Sequence, residues 1–218
     1  MLRRPASRHE GRTTPCVSVA LFAAFSLLGL TVAFSAPAAA IATLKVHRTW
    51  MPNAYPSSYA IGFSSGLNFC FDPIRGNLIY AWRGDYVDLS ATVNGKIPRD
   101  AAIRGTIFYQ SLTACGFRRS DGQADPEIRF HAFRVHDGTP EFEYEVDSAH
   151  VRETIRPSPD GTSLVREFSV TTAGRTLTYT PAEPVEIMIA SGPANRAGAA
   201  VMVPANSTLV FSHALPRQ

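Results

Sequence analysis

PEFEYEVDSAHVRETIR, residues 140–156, decides the fold. Phe142, Tyr144 and Val146 alternate with Glu141, Glu143 and Glu145, the two-residue period of a strand with one buried face. VRETIR, 151–156, continues the alternation. Closing the hairpin through Ser148-Ala149 sets Glu145 against Arg152 and Glu141 against Arg156, while Val146 meets Val151 and Phe142 meets Ile155. Opposite charges then line one face and apolar pairs the other. The glutamates read as a solvated, cross-paired face rather than a catalytic carboxylate set.

One residue breaks the pattern. In that register Glu153 sits opposite Tyr144, on the apolar face. The following strand, SLVREFSV at 163–170, carries Leu164, Arg166, Phe168 and Val170 on one side. A hairpin through Pro159-Asp160-Gly161 sets Leu164 against Ile155, Arg166 against Glu153 and Phe168 against Val151. The expectation is a Glu153–Arg166 pair within an apolar face. It is a buried structural ion pair if that face packs, and a ligand contact if the face is concave and open.

The rest of the chain has the same punctuation. Short runs rich in β-branched and aromatic residues alternate with Gly, Pro, Asp and Ser clusters. Strands are predicted at 43–48, 59–63, 67–72, 77–82, 105–110, 128–136, 140–147, 150–156, 163–171, 175–180, 185–190, 199–203 and 207–213. No stretch shows helical periodicity over eleven or more residues, and 91–104 has room for a short turn of helix at most. The longest loop candidate is 111–127. The predicted fold is all-β, an antiparallel two-sheet β-sandwich forming a single domain over 41–218.

Residues 1–40 read differently. Arg3, Arg4, Arg8 and Arg12 precede an apolar run from Val17 to Phe34, and small residues ending in Ala38-Ala39-Ala40 follow. That is the order of a secretory signal peptide. An uncleaved N-terminal anchor helix over 17–34 is the alternative, since eighteen apolar residues just span a bilayer. Either reading exports 41–218, to the periplasm or the extracellular space. The leader also carries the net charge of +3, because from residue 41 onward basic and acidic residues balance at seventeen each. A neutral domain has no electrostatic footprint for nucleic acid, and the only expected membrane contact is through the leader.

Cys70 and Cys115 remain in the exported part, where an oxidising compartment permits a disulfide. Spacing alone leaves the pairing open. No CxxC or CxxCH occurs, and no cofactor is expected. His131 and His136 are five apart on one strand, hence on opposite faces unless a bulge intervenes, so no metal site is expected. Nucleophile elbows and Gly-rich phosphate loops are absent.

Residues 59–90 are the most individual segment. Trp82 and Tyr86 stand beside Arg83, Asp85 and Asp88. Flat rings stack on the C–H face of a pyranose while charged groups bond its hydroxyls, so these five residues form a candidate carbohydrate surface, with Glu153 and Arg166 as further candidates. Trp82 is equally suited to anchor a core. Arg83-Gly84-Asp85 spells a cell-adhesion tripeptide, a match too short to carry weight.

Gly66 through Asp72, GLNFCFD, followed by Tyr80 through Asp88, YAWRGDYVD, resembles an uncharacterised extracytoplasmic β domain found in chains with periplasmic c-type cytochrome modules. Phe142, Tyr144, Val146, Asp147, Arg166 and Phe168 extend the resemblance. It implies a periplasmic β domain, here without a haem-attachment motif, and it is silent on activity. That family often has a second cysteine about where Gly76 stands, so the resemblance leaves Cys70 either free or paired with Cys115.

Three functions follow as expectations. The first is an exported non-catalytic binding module for carbohydrate. The second is a protein-interaction subunit of a periplasmic redox or degradation complex. The third is a carbohydrate-active enzyme, which requires two carboxylates such as Asp85 and Glu153 in one cleft.

Overall fold

The 140–156 hairpin closes one residue earlier than expected. Asp147 and Ser148 both take positive φ, 47° and 71°. A two-residue turn of that handedness matches the twist of the strands it joins. It pairs Val146 with Ala149, so Glu143 faces Arg152, Glu145 faces His150 and Glu141 faces Thr154. Each partner therefore differs by two positions from the expected register. A shift of two leaves every side chain on its predicted face, whereas a shift of one would have inverted them all.

The computed structural model describes residues 44–94, 99–111, 115–121, 125–193, 195–197 and 199–216. The expected signal or anchor, residues 1–40, lies outside the described residues. Ala39–Gln218 forms one compact unit. Its first half is a meander of β1 (Lys45–Thr49), β2 (Ser58–Gly62), β3 (Leu67–Asp72) and β4 (Asn77–Asp88), then a short α1 (Ser90–Asn94) and β5 (Ala102–Gln110). Next come β6 (Phe117–Arg119), β7 (Ile128–His136), β8 (Thr139–Val146), β9 (Ala149–Pro157) and β10 (Leu164–Thr171). The chain ends with β11 (Leu177–Tyr179), β12 (Ile187–Ser191), β13 (Asn195–Ala197), β14 (Ala200–Val203) and β15 (Thr208–Ala214).

The all-β, antiparallel prediction holds, but the described residues form three sheets rather than two. One has five strands in the order β1-β2-β3-β4-β5, one has six in the order β12-β15-β10-β9-β8-β7, and one has four in the order β13-β14-β11-β6. The additional sheet depends on β6 and β13, three-residue strands too short to leave a periodic signal.

One face of the six-stranded sheet packs on both other sheets. Phe142 stacks on Phe71 of β3 with ring centroids 3.8 Å apart. Phe168 meets Phe117 of β6 at 5.7 Å and Tyr179 of β11 at 4.8 Å. The five-stranded sheet is buried on its other side as well. There Ala60, Cys70, Tyr80 and Trp82 form a second core with Met51 and Ala101. Burial of both faces explains why Leu67–Asp72 reads as an unbroken buried run rather than an alternating one.

Glu153 and Arg166 lie inside the first core. The shifted register sets Arg166 opposite Ile155 and Glu153 opposite Phe168. The two are thus diagonal neighbours, still close enough for long side chains. Arg166 Nε donates to Glu153 Oε1 at 2.7 Å, with the side chains 3% and 0% exposed. Tyr144 Oη donates to the other carboxylate oxygen at 2.9 Å, and a terminal nitrogen of Arg166 reaches Asn77 Oδ1 at 3.2 Å. Burial, then the Glu153 charge, pushes the Tyr144 hydroxyl well above its ordinary range, so it remains a donor. Close by, burial and the Arg166 charge bring His213 down to about 3, and its neutral ring bonds the Tyr179 hydroxyl at 2.7 Å. Of the two structures proposed for the pair from sequence, the packed one is found.

The outer face of the same sheet is charged and carries one surprise. A bulge at His131 breaks the β7–β8 register between Phe130 and Ala132. It brings His131 and His136 to the same face, overturning the expectation of opposite faces. His131 lies 3.4 Å from Glu145, His136 lies 3.9 Å from Glu141, and His150 lies 2.9 Å from Glu143. Glu143 also pairs with Arg134. Hydrogen bonds from His150 and then from Arg134 hold the Glu143 carboxyl down at about 2.

Two outcomes are expected. Arg166→Met leaves Glu153 buried without its cation and should lower unfolding free energy by about 3–5 kcal/mol, read from urea denaturation. Adding Glu153→Leu should recover part of that loss; no recovery would show that the damage is steric. The second concerns acid. Because the native pKa of Glu143 is depressed, its contribution is whole above about pH 4.3, the usual glutamate value, and fades as pH falls toward 2. The melting-temperature gap between wild type and Glu143→Gln should therefore narrow across that window, and a constant gap would refute the linkage.

Candidate functional site

The 59–90 segment does not form an open aromatic surface. Trp82 is fully buried in the second core. Its indole Nε1 donates to the Asp85 carbonyl at 3.0 Å. No sugar ring can stack on it there. The cause is a break in the β4–β5 ladder between Gly84 and Val87. It throws Asp85 and Tyr86 out of register and curls the strand back over its own tryptophan. Gly84 sits at φ 134°, and a Cβ on it would lie 2.8 Å from the Arg104 carbonyl, so the curl needs glycine.

The other candidates are dispersed. Tyr86 is half-buried, donates to the Ala60 carbonyl at 2.5 Å and packs against His47 at 5.6 Å between ring centroids. Arg83 reaches away from Asp85 to the Thr162 carbonyl at 2.9 Å, so the adhesion tripeptide does not present its arginine free. Asp88 pairs with Arg104 and accepts from the Ser90 amide at 2.9 Å. Hydrogen bonds from Ser90 and Arg104 hold its carboxyl well below the usual range. Glu153 is buried with Arg166 while Asp85 is exposed, so these two acids do not share a cleft.

The pairing of Cys70 with Cys115, open from the sequence, is not made. Both are free and buried. Cys70 belongs to the second core and Cys115 to the first. Burial pushes the Cys70 thiol up to about 12 and that of Cys115 up to about 11, which leaves both unreactive as nucleophiles. Among the described residues no group of three or more His, Cys, Asp or Glu is placed to hold a metal ion.

The structure instead forms a polar cleft that no local motif announced. It has a volume of about 390 Å³ and is lined by Glu127, Arg129, Glu145, Asp147, Ser148 and Arg175. A smaller hollow of about 200 Å³ adjoins it across Arg175, lined also by Arg119, Ser120, Asp121 and Thr176. The left-handed turn at Asp147-Ser148 forms one rim. Asp147 ties that turn to the chain before β7, accepting from the Glu127 amide at 2.9 Å and donating its own amide to the Glu127 carbonyl at 3.0 Å. Its second carboxylate oxygen lies 3.8 Å from Arg119 Nε, and neither atom has a hydrogen-bond partner. Arg119 meanwhile bonds Asp121 at 2.6 Å. Glu145 lies between Arg129 at 3.6 Å and His131 at 3.4 Å. Arg175 is exposed and makes no ion pair among the described residues. Donors and acceptors thus stand together around an open concavity.

In the sequence Glu145 belongs to a solvated face, and nothing there selects Asp147, Arg119 or Arg175 as site residues. The only local signal was Asp147-Ser148 between two strands, and it marks a turn rather than a site. Compared with known proteins, the chain matches no family model, no curated protein and no solved structure.

The two tryptophans of the chain separate the buried reading of Trp82 from an exposed one. Trp50 is 42% exposed and Trp82 is 0% exposed. Acrylamide should quench Trp50 and spare Trp82. Trp50→Phe should leave a blue-shifted emission that resists quenching, and a readily quenched residual emission would place Trp82 at the surface.

Proposed function

We propose that the protein is an exported, non-catalytic binding module for hydroxylated, charged ligands, saccharides above all, and that the cleft between Arg129 and Arg175 receives them. The observation that carries this reading is the lining of that cleft, which gathers carboxylates, arginines and a serine. Carboxylates accept hydrogen bonds from sugar hydroxyls and guanidinium groups donate to ring and acidic oxygens. Among the described residues no aromatic ring lines the cleft, which favours recognition through polar groups. The leader in the sequence supports the exported address.

Glu145 and Asp147 each lie within 4 Å of an arginine, at 3.6 and 3.8 Å, so the acids of the cleft are arranged as paired hydrogen-bonding groups.

A second reading rests on its own observation. Tyr55 and Ile74, 46% and 56% exposed, flank a groove of about 200 Å³ with Arg75, Arg118, Pro126 and Ile128. Exposed apolar side chains beside arginines suit a protein partner. The resemblance to cytochrome-associated periplasmic domains favours a redox or degradation complex as its setting.

A thermal-shift screen of the purified protein against neutral and acidic oligosaccharides tests the first reading. A ligand at a hundredfold excess over its dissociation constant stabilises the native state by about 2.7 kcal/mol. The shift should vanish in Arg175→Ala, whose own melting temperature should stay within about a degree of wild type because the side chain is exposed. No shift with any saccharide would remove the reading and leave the Tyr55–Ile74 groove as the functional surface.

A further inference from the structure

The charged side chains around the cleft fall into two groups. Arg129 and Glu145 are paired at 3.6 Å, and Arg119 is shared between Asp121 at 2.6 Å and Asp147 at 3.8 Å. Glu127 and Arg175 line the same cleft, are both exposed, and make no ion pair and no side-chain hydrogen bond among the described residues. One acid and one base are thus left over. Resting on the binding-module reading, we propose that the cleft receives a zwitterionic saccharide, a sugar carrying both a protonated amine and a carboxylate, with its ammonium at Glu127 and its carboxylate at Arg175.

Both free charges are mounted on backbone that is held in place. The Glu127 amide donates to the Asp147 carboxylate at 2.9 Å, and the Glu127 carbonyl accepts from the Asp147 amide at 3.0 Å. Arg175 lies between Gly174, whose amide donates to Asn206 Oδ1 at 2.8 Å, and Thr176, whose Oγ1 accepts from the Ala205 amide at 3.2 Å. The Thr176 carbonyl also accepts from the Ser120 amide at 3.4 Å. Only the two side chains have to settle onto a ligand, and a site already arranged loses less on binding than one that must first be ordered.

The charges select the ligand class. Around the cleft and the hollow beside it carboxylates outnumber arginines by four to three. A sugar with a carboxylate alone satisfies Arg175 but brings a further negative charge beside Glu127. A sugar with an amine alone satisfies Glu127 and leaves Arg175 without an opposite charge. A sugar with both meets an opposite charge at each of the two free groups. The guanidinium group offers a carboxylate two parallel N–H donors, and an ammonium group donates to a carboxylate from any of its three hydrogens. At about 390 Å³ the cleft is of the size that takes one small ligand, so a single molecule can meet both groups.

Calorimetric titration of the purified protein with four sugars tests this, at a pH of about 6, where amines are protonated and carboxylates ionised. Muramic acid carries both charges, N-acetylmuramic acid only the carboxylate, glucosamine only the amine and glucose neither. Muramic acid should bind about two- to fivefold tighter than either singly charged sugar, the gain that one exposed ion pair provides. Glu127→Gln should remove its advantage over N-acetylmuramic acid and keep its advantage over glucosamine. Arg175→Gln, which retains an amide donor without the charge, should do the reverse. Both side chains are exposed, so both variants should melt within about a degree of wild type. Equal binding of the four sugars, tighter binding of a singly charged one, or an advantage unchanged by both substitutions overturns this inference and leaves the binding-module reading in place. Binding of none of the four, where the thermal-shift screen does find a saccharide, overturns the inference alone; where the screen finds none, both fall.

Discussion

The Glu153–Arg166 pair is the constraint around which the domain is arranged. Two charges inside a protein cost several kcal/mol each in lost hydration, and only close, fully bonded geometry offsets that cost. Here the geometry draws on separate parts of the chain. Tyr144 and Glu153 come from adjacent strands of one hairpin, Arg166 from the next strand, and Asn77 from the opposing five-stranded sheet. Asn77 donates in turn to the Ser111 hydroxyl at 2.9 Å, where the chain leaves β5. Apolar residues alone tolerate some sliding of one sheet over another. A bonded charge pair tolerates little, so the pair acts as a locating pin between the sheets while the surrounding aromatic rings supply most of the burial.

The two faces of the six-stranded sheet divide the work. The inner face is aromatic and carries the pin. The outer face carries glutamates from β8 flanked by arginines and histidines from β7 and β9. Exposed pairs of this kind contribute little to stability individually. Their placement matters more, because it determines which charges point at the rim where Asp147-Ser148 turns. The bulge at His131 connects the sheet's regular ladder to the irregular rim, and such bulges commonly re-aim side chains at sites.

The legibility of the chain followed the range of each interaction. The strands of the 140–171 meander were readable because their alternation is local, and the expected Glu153–Arg166 pair survived a two-residue error in both registers. That error came from turn geometry. Asp147-Ser148 takes the left-handed conformation that Asn-Gly usually supplies, and neither residue type advertises it. Trp82 stood between two readings because its identity suits both a sugar platform and a core anchor. Only the curl of β4 at Gly84 decided between them. The pairing of Cys70 with Cys115 stayed open because the separation of two cores is invisible along a sequence.

By itself the sequence determined the β class, the antiparallel hairpins, the inward and outward faces of the meander, and a basic N-terminal stretch ahead of a charge-balanced remainder. All of these depend on residues within a few positions of one another, where the period of the side chains is the signal. The tertiary structure decided the number of sheets, the burial of Trp82, the free state of the two cysteines and the position of the cleft. The cleft and the hollow beside it bring together residues from position 119 to position 176. Their proximity arises from a two-residue turn, one bulge and the docking of a short third sheet, and none of these leaves a periodic trace in the order of the amino acids.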